Sequence, residues 1–165
     1  MALSLENPNL VRQKVYAALS GTNNPSAQHR VWWNTAREFF RNWVTEGANA
    51  NLEFVPFADA DITAAGGYDT GVDAACKVYL FYINKRSNAT AAVAKLFDNI
   101  TGDSVTTEQT LTMPLDASAQ ETMQVYPIGF SHATGLVVAA HTTPEGATQS
   151  TAGDSGDGFV VIGAA

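Results

Sequence analysis

The stretch that decides the fold runs from residue 75 to residue 97: Ala75-Cys76-Lys77-Val78-Tyr79-Leu80-Phe81-Tyr82-Ile83-Asn84, then Lys85-Arg86-Ser87-Asn88, then Ala91-Ala92-Val93-Ala94-Lys95-Leu96-Phe97. β-Branched and aromatic side chains fill the two flanks, and a short polar cluster separates them. Such side chains pack well on a pleated surface, while Ser and Asn favour turns, so the stretch reads as strand, turn, strand. Working outward, Leu52–Phe57, Val105–Met113, Glu121–Phe130, Thr134–His141 and Gly158–Gly163 have the same character. Val105, Thr107, Gln109, Leu111 and Met113 alternate against Thr106, Glu108, Thr110 and Thr112, the pattern of a strand with one solvated face. No helix-length pattern intervenes, which disfavours a parallel sheet and predicts an antiparallel β-sandwich, jelly-roll-like. Two connections, Ala58–Asp73 and Thr142–Asp157, hold few large apolar residues and read as long loops.

The N-terminal part reads differently. Asn7-Pro8 is a helix start and Gly21 a stop, with Leu10, Val11, Val15, Ala18 and Leu19 at helical spacing between them. Asn24-Pro25 repeats the start signal, and a second helix runs to about Glu46, closed by Gly47. On it Trp32, Trp33, Ala36, Phe39, Phe40, Trp43 and Val44 fall within roughly 140° of arc at about 100° per residue. Arg30, Asn34, Arg37, Glu38, Arg41 and Thr45 fill the opposite side. The fold class is therefore α+β: a helical arm or docking segment over 1–47, then a β-sandwich domain over 48–165 whose alternating strands supply a core of their own. The segregated helix must bury its aromatic face against something, either this chain's own sheet or another subunit. Clustered Trp with flanking Arg is typical of interface anchors. Arg30, Trp32, Trp33, Arg37, Phe39, Phe40, Arg41 and Trp43 are accordingly the candidate interface, with the arginines suited to bidentate carboxylate pairing.

The chain has 165 residues, the size of one domain, and is 45% hydrophobic and 15% charged, which excludes a disordered or collagen-like chain. No apolar run reaches membrane-span length, and Met1–Glu6 has no basic or apolar leader character, so a soluble protein without a signal peptide is expected. The net charge of −7 is unevenly divided. Residues 1–47 carry five basic and three acidic side chains, whereas residues 48–165 carry four basic and thirteen acidic ones. The acidic remainder argues against nucleic acid as a partner. Cys76 is the sole cysteine, which excludes an internal disulfide and a thiolate zinc site.

No motif implies catalysis, a metal or a cofactor. Gly153-Asp154-Ser155-Gly156 and Val137-Val138-Ala139-Ala140-His141 resemble the nucleophile and histidine segments of chymotrypsin-like serine proteases. That resemblance would make Ser155 the nucleophile and His141 the base, with the amides of Gly153 and Ser155 as the oxyanion hole. It breaks at Asp157-Gly158, and only 13 residues separate His141 from Ser155, so a turn before the last strand is the better reading. Asp154–Gly158 lacks the downstream Glu of a calcium loop. Asp59, Asp61, Asp69 and Asp73 read as solvated surface acid. His29, His132 and His141 have no metal-ligand spacing, and Asn88-Ala89-Thr90 and Asn99-Ile100-Thr101 read as turn chemistry. A carbohydrate-binding sandwich is the alternative reading, with Tyr68, Tyr79, Tyr82 and Tyr126 as its aromatic candidates.

A helical N-terminal segment, an acidic sandwich rich in Thr, Ala and Gly, and one cysteine together resemble the structural proteins of tailed bacteriophages, above all small capsid decoration (cement) proteins. The resemblance spans the whole chain and rests on architecture and composition. It implies a β-rich body, often trimeric, on the virion's capsid surface, made in the host cytoplasm and bridging copies of the major capsid protein or other virion subunits. It implies no catalysis and no cofactor. Another neck or tail protein of such a phage is a further alternative.

Overall fold

The computed structural model describes residues 3–20, 27–45, 50–85, 90–100, 109–117, 120–146, 148–150 and 156–165, without the side chains of 27–29 and 45. Two helices come first: α1 (Pro8–Ser20) and α2 (Ala27–Thr45). The Asn7 side chain accepts from the Asn9 amide at 2.9 Å, so the predicted cap of α1 forms. The predicted cap and stop of α2, Asn24-Pro25 and Glu46-Gly47, lie outside the described residues. Then follow β1 (Leu52–Phe57), α3 (Asp59–Ile62), β2 (Tyr68–Val72), β3 (Cys76–Lys85), β4 (Ala92–Phe97) and β5 (Leu111–Leu115). The chain continues with β6 (Gln120–His132), β7 (Leu136–His141) and β8 (Asp157–Ala164). Among the described residues no helix is long and apolar enough to cross a membrane.

The architecture is α+β, with two antiparallel four-stranded sheets in the orders β1-β8-β3-β6 and β2-β7-β4-β5. The pairs β4·β5, β3·β6, β2·β7 and β1·β8 nest one within the next, as in a long hairpin laid out from its tip. Two further pairs, β3·β8 and β4·β7, join these ribbons into the two sheets. The sheets face each other across one apolar cluster in which Val78, Phe81, Ile83, Val160 and Ile162 of the first meet Ala94, Leu96, Met113, Leu136 and Val138 of the second.

The first sheet is buried on its other face too. Val11, Val15 and Leu19 of α1 and Ala36, Phe39, Phe40 and Trp43 of α2 share a second cluster with Leu52, Tyr79, Leu80, Tyr82, Met123, Phe159 and Val161. Strand β3 makes this possible by breaking its own alternation. Its register slips between Val78 and Leu80 against both β6 and β8, so that Tyr79 and Leu80, adjacent in sequence, join the same outer cluster. Opposite the slip, β6 bows out over four residues between Val125 and Phe130. Gly129 closes that bow at φ +79°, where a Cβ would lie 2.9 Å from Lys77 Cβ and from the Tyr79 ring.

Two expectations are corrected. Residues 58–73 are not one long loop: α3 and β2 occupy them, with Ile62 and Val72 in the inter-sheet core. The strand expected over 105–113 begins only at Leu111 and extends through Pro114 to Leu115, while 101–108 lie outside the described residues. Pro114, Pro56 and Pro127 sit in β5, β1 and β6, all edge strands, where the absent N–H breaks no ladder.

This two-sided burial gives a direct test of how the chain divides. A chain lacking residues 1–47 is expected to keep strand-type circular dichroism through its inter-sheet core but to expose Leu80, Tyr82, Phe159 and Val161. It should then bind the dye ANS and self-associate. A soluble monomer that leaves ANS dark would show that the helices contribute nothing to the sheet's outer face.

Candidate functional site

The helix layer is where the candidate residues converge, and its two sides behave differently. On the sheet side, Phe40 is fully buried and Phe39 and Trp43 nearly so. Phe39 stacks on Trp43 at 5.6 Å between centroids, and Trp43 meets the bulged Tyr79 edge-on at 4.6 Å. The Trp43 indole donates to the Ala50 carbonyl at 3.0 Å, so its polar edge is satisfied within the chain. Trp32 is half-buried and donates to the Glu121 carbonyl at 3.0 Å, tying α2 to β6. Trp33, also half-buried, lies against the Tyr16 ring of α1 at 4.9 Å. The aromatic half of the candidate set thus packs on this chain's own sheet and on α1.

On the solvent side, Arg30, Arg37 and Arg41 are all exposed. Arg37 and Arg41, together with Arg12 of α1, line an open groove of about 450 Å³ between the helices, completed by Tyr16, Asn34, Glu38, Phe40 and Val44. Arg30 is not part of it. Arg41 is paired with Glu38 at 2.7 Å. Burial raises the Tyr16 phenol above its ordinary value, while the charges of Arg12 and Arg37 pull it down, which places both guanidiniums near that ring. A groove with an apolar floor, hydroxyl and amide donors and several guanidiniums suits a carboxylate-bearing partner. Arg12, Tyr16 and Asn34 were not in the sequence-derived interface set. The i,i+4 spacing of Arg12 and Tyr16 on one helix face is the signal that marks them.

The residues weighed for chemistry are placed elsewhere. Ser155, with Gly153 and Asp154, lies outside the described residues, as do Asn88, Thr101 and the His29 side chain. His141 is fully buried on the outward face of the second sheet, bridged to Gln149 by the chain returning from β7. Neither His141 ring nitrogen nor either amide atom of Gln149 has a hydrogen-bond partner among the described residues. Lys95, 1% exposed, donates to the Gly146 carbonyl at 2.8 Å beside them. Burial lowers His141, and the Lys95 charge lowers it further, against a smaller opposing pull from the Gly146 backbone. His132 is also buried, and its ring bonds Gly135 O at 2.9 Å and the Thr110 hydroxyl at 2.7 Å. Burial lowers its pKa against the pull of that carbonyl and of Asp98.

Burial alone would raise the Asp98 carboxyl. The Ala133, Thr134 and Gly135 amides and the His132 charge outweigh it and hold the group below its ordinary value. Burial first, then the charges of Asp98 and Glu53, push the Cys76 thiol up to about 11, which leaves it a poor nucleophile. Among the described residues no three His, Cys, Asp or Glu side chains come together to hold a metal ion. Asp61 and Asp69 instead accept from the nearby Ala58 and Gly71 amides. Of the four tyrosines considered for sugar binding, Tyr79 and Tyr82 are buried, and Tyr68 and Tyr126 are half-buried against the inter-sheet core.

No protein-family model matches this chain, and a search of curated proteins returns no match.

Two outcomes follow from these placements. Phe40→Ala should cost about 3–5 kcal/mol of folding stability, read by chemical denaturation; an unchanged midpoint would mean that the ring is not core. Second, His132 and His141 bind protons less tightly folded than unfolded, where the ordinary value is 6.5. Their contribution to stability is thus complete above that value and lost as the pH falls through it toward the lower folded values. The melting temperature should drop between about pH 7.5 and about pH 5, and His141→Leu should flatten the drop. A wild-type profile level across that range would contradict the neutral buried imidazoles.

Proposed function

We propose that the chain is a structural protein of a virus particle, a capsid decoration protein that bridges shell subunits by protein–protein contact. The observation that carries this reading is the nested antiparallel pairing of eight strands, β4·β5 inside β3·β6 inside β2·β7 inside β1·β8. A long hairpin rolled into two sheets in that order supports a jelly-roll reading, and viral capsid and lectin domains use that architecture. Between those two uses, the aromatic side chains favour the first. Lectin-type sugar binding needs ring faces open to solvent, and here Tyr79 and Tyr82 are consumed under the helices. In this reading the partners are the major capsid protein or other virion subunits, the protein acts as a homo-oligomer with a trimer favoured, and no cofactor is needed.

The test is mass photometry of tailed-phage heads stripped of their decoration proteins, with and without the purified chain, beside a glycan array. The expected result is added mass on the heads and a blank array. Sugar binding without added mass would overturn the reading in favour of the carbohydrate alternative.

A further inference from the structure

We infer that copies of this chain associate head to tail, the groove between α1 and α2 of one copy receiving the acidic α3–β2 segment of the next. This rests on the homo-oligomeric part of the reading above and supplies the contact that such an oligomer needs.

The inference comes from where the charge sits once the chain is folded. The sandwich has four basic side chains, Lys77, Lys85, Arg86 and Lys95. Lys85 and Lys95 are each 1% exposed and turned inward, Lys85 onto the Thr90 and Asp116 carbonyls and Lys95 onto that of Gly146. Lys77 is half-buried, and Arg86 lies outside the described residues. Exposed carboxylates therefore dominate the described body, among them Asp61, Asp69, Asp116 and Glu145. The helix layer carries the opposite sign. Its groove brings Arg12, Arg37 and Arg41 together around a single acid, Glu38, which Arg41 holds. Neither the Lys14–Glu6 pair nor the Arg41–Glu38 pair uses Arg12 or Arg37.

One surface is thus basic and the other acidic on the same molecule, and the partner that carries the complement is a second copy. Segment 58–73 is the stretch assigned to the groove. Asp61 and Asp69 are exposed there, and each has one carboxylate oxygen held by a nearby amide. That leaves the second oxygen of each to meet a guanidinium fork. The two surfaces lie on different layers: the groove is on the helices that cover the first sheet, and β2 is an edge strand of the second. A contact between unlike surfaces is heterologous, so it propagates until rotation closes it into a ring, and three copies are one such closure. Because the pairs are at the surface, salt should weaken them.

Sedimentation or mass photometry of the full chain at low and high salt reads this out. The expected species is a closed oligomer at about 50 mM salt that gives way to the 17.5 kDa monomer at about 500 mM. Arg12→Glu with Arg37→Glu should be monomeric at low salt, with a melting temperature close to that of the wild type when the two are compared as monomers at about 500 mM salt. Asp61→Lys with Asp69→Lys should do the same from the other side. Combining all four substitutions restores opposite charge across the contact and should restore the oligomer. A wild-type monomer at low salt, an oligomer indifferent to the arginine changes, or a combined variant that stays monomeric would each overturn the inference. Added mass on phage heads from a chain that is monomeric in solution would overturn it while leaving the decoration role standing.

Discussion

One sheet of this protein is apolar on both faces, and the rest of the fold is arranged to cover it. A four-stranded sheet packed on a second sheet normally keeps its outer face wet and polar. Here Leu52, Leu80, Tyr82, Phe159 and Val161 occupy that outer face, and the slip in β3 adds Tyr79 beside Leu80 where strict alternation would have turned one of them inward. The two helices are the third layer that this surface demands. Their lengths and aromatic content answer that demand: Trp43 and Phe39 close on Tyr79, and Trp32 fastens α2 to β6 through the Glu121 carbonyl. With the aromatic side committed inward, the arginine side of α2 necessarily faces out, and α1 lays Arg12 beside it.

Polar groups inside the molecule fasten loops. Lys85 joins the residues after β3 to those after β5 through two backbone carbonyls, and Lys95 holds the chain leaving β7 through Gly146. Asp98 collects three amides of the β6–β7 turn, and His132 bonds that same turn from the other side. An ammonium or imidazole taken out of water in this way is costly unless it is bonded or neutral. The lowered Lys95, His132 and His141 values are the corresponding response. The same arrangement takes Lys85 and Lys95 off the sandwich exterior, so part of the electrostatic polarity between the layers follows from loop anchoring.

Much of the fold was legible in residue patterns. Leu52–Phe57 forms β1 with the expected ends, β4 and β7 lie inside their predicted spans, and α1 begins at the Asn7-Pro8 signal. Composition misled at 58–73. Its Gly, Ala and Asp content lacks intrinsic strand character, and β2 exists because β7 offers it a partner edge, with a register slip between Asp69 and Val72. The 3.6-residue period of α2 correctly separated Phe39, Phe40 and Trp43 from Arg37 and Arg41. It could not say what the apolar side meets, because the bulge that adds Tyr79 to the sheet's outer face leaves no mark in a period of two. The groove was half-visible for the same kind of reason. Arg37 and Arg41 stand out on α2, whereas Arg12 and Tyr16 join them only when α1 packs alongside, a contact between segments some twenty residues apart. Lys95, alone in an apolar strand, gave no hint that it would be sealed in.

The prolines of the edge strands bear on how such a molecule can associate at all. An exposed strand edge is a row of unsatisfied amides and carbonyls that a neighbour's strand can zip onto. Pro56, Pro114 and Pro127 interrupt three of the four edges, and the slip and Gly71 at φ 75° interrupt the fourth. These interruptions disfavour backbone pairing between copies at the described sheet edges and leave more of such contact to side chains. Side-chain contacts between charged groups form and release with ionic strength, whereas merged β-ladders ripen toward fibres. Edges built this way favour encounters between crowded copies that stay reversible.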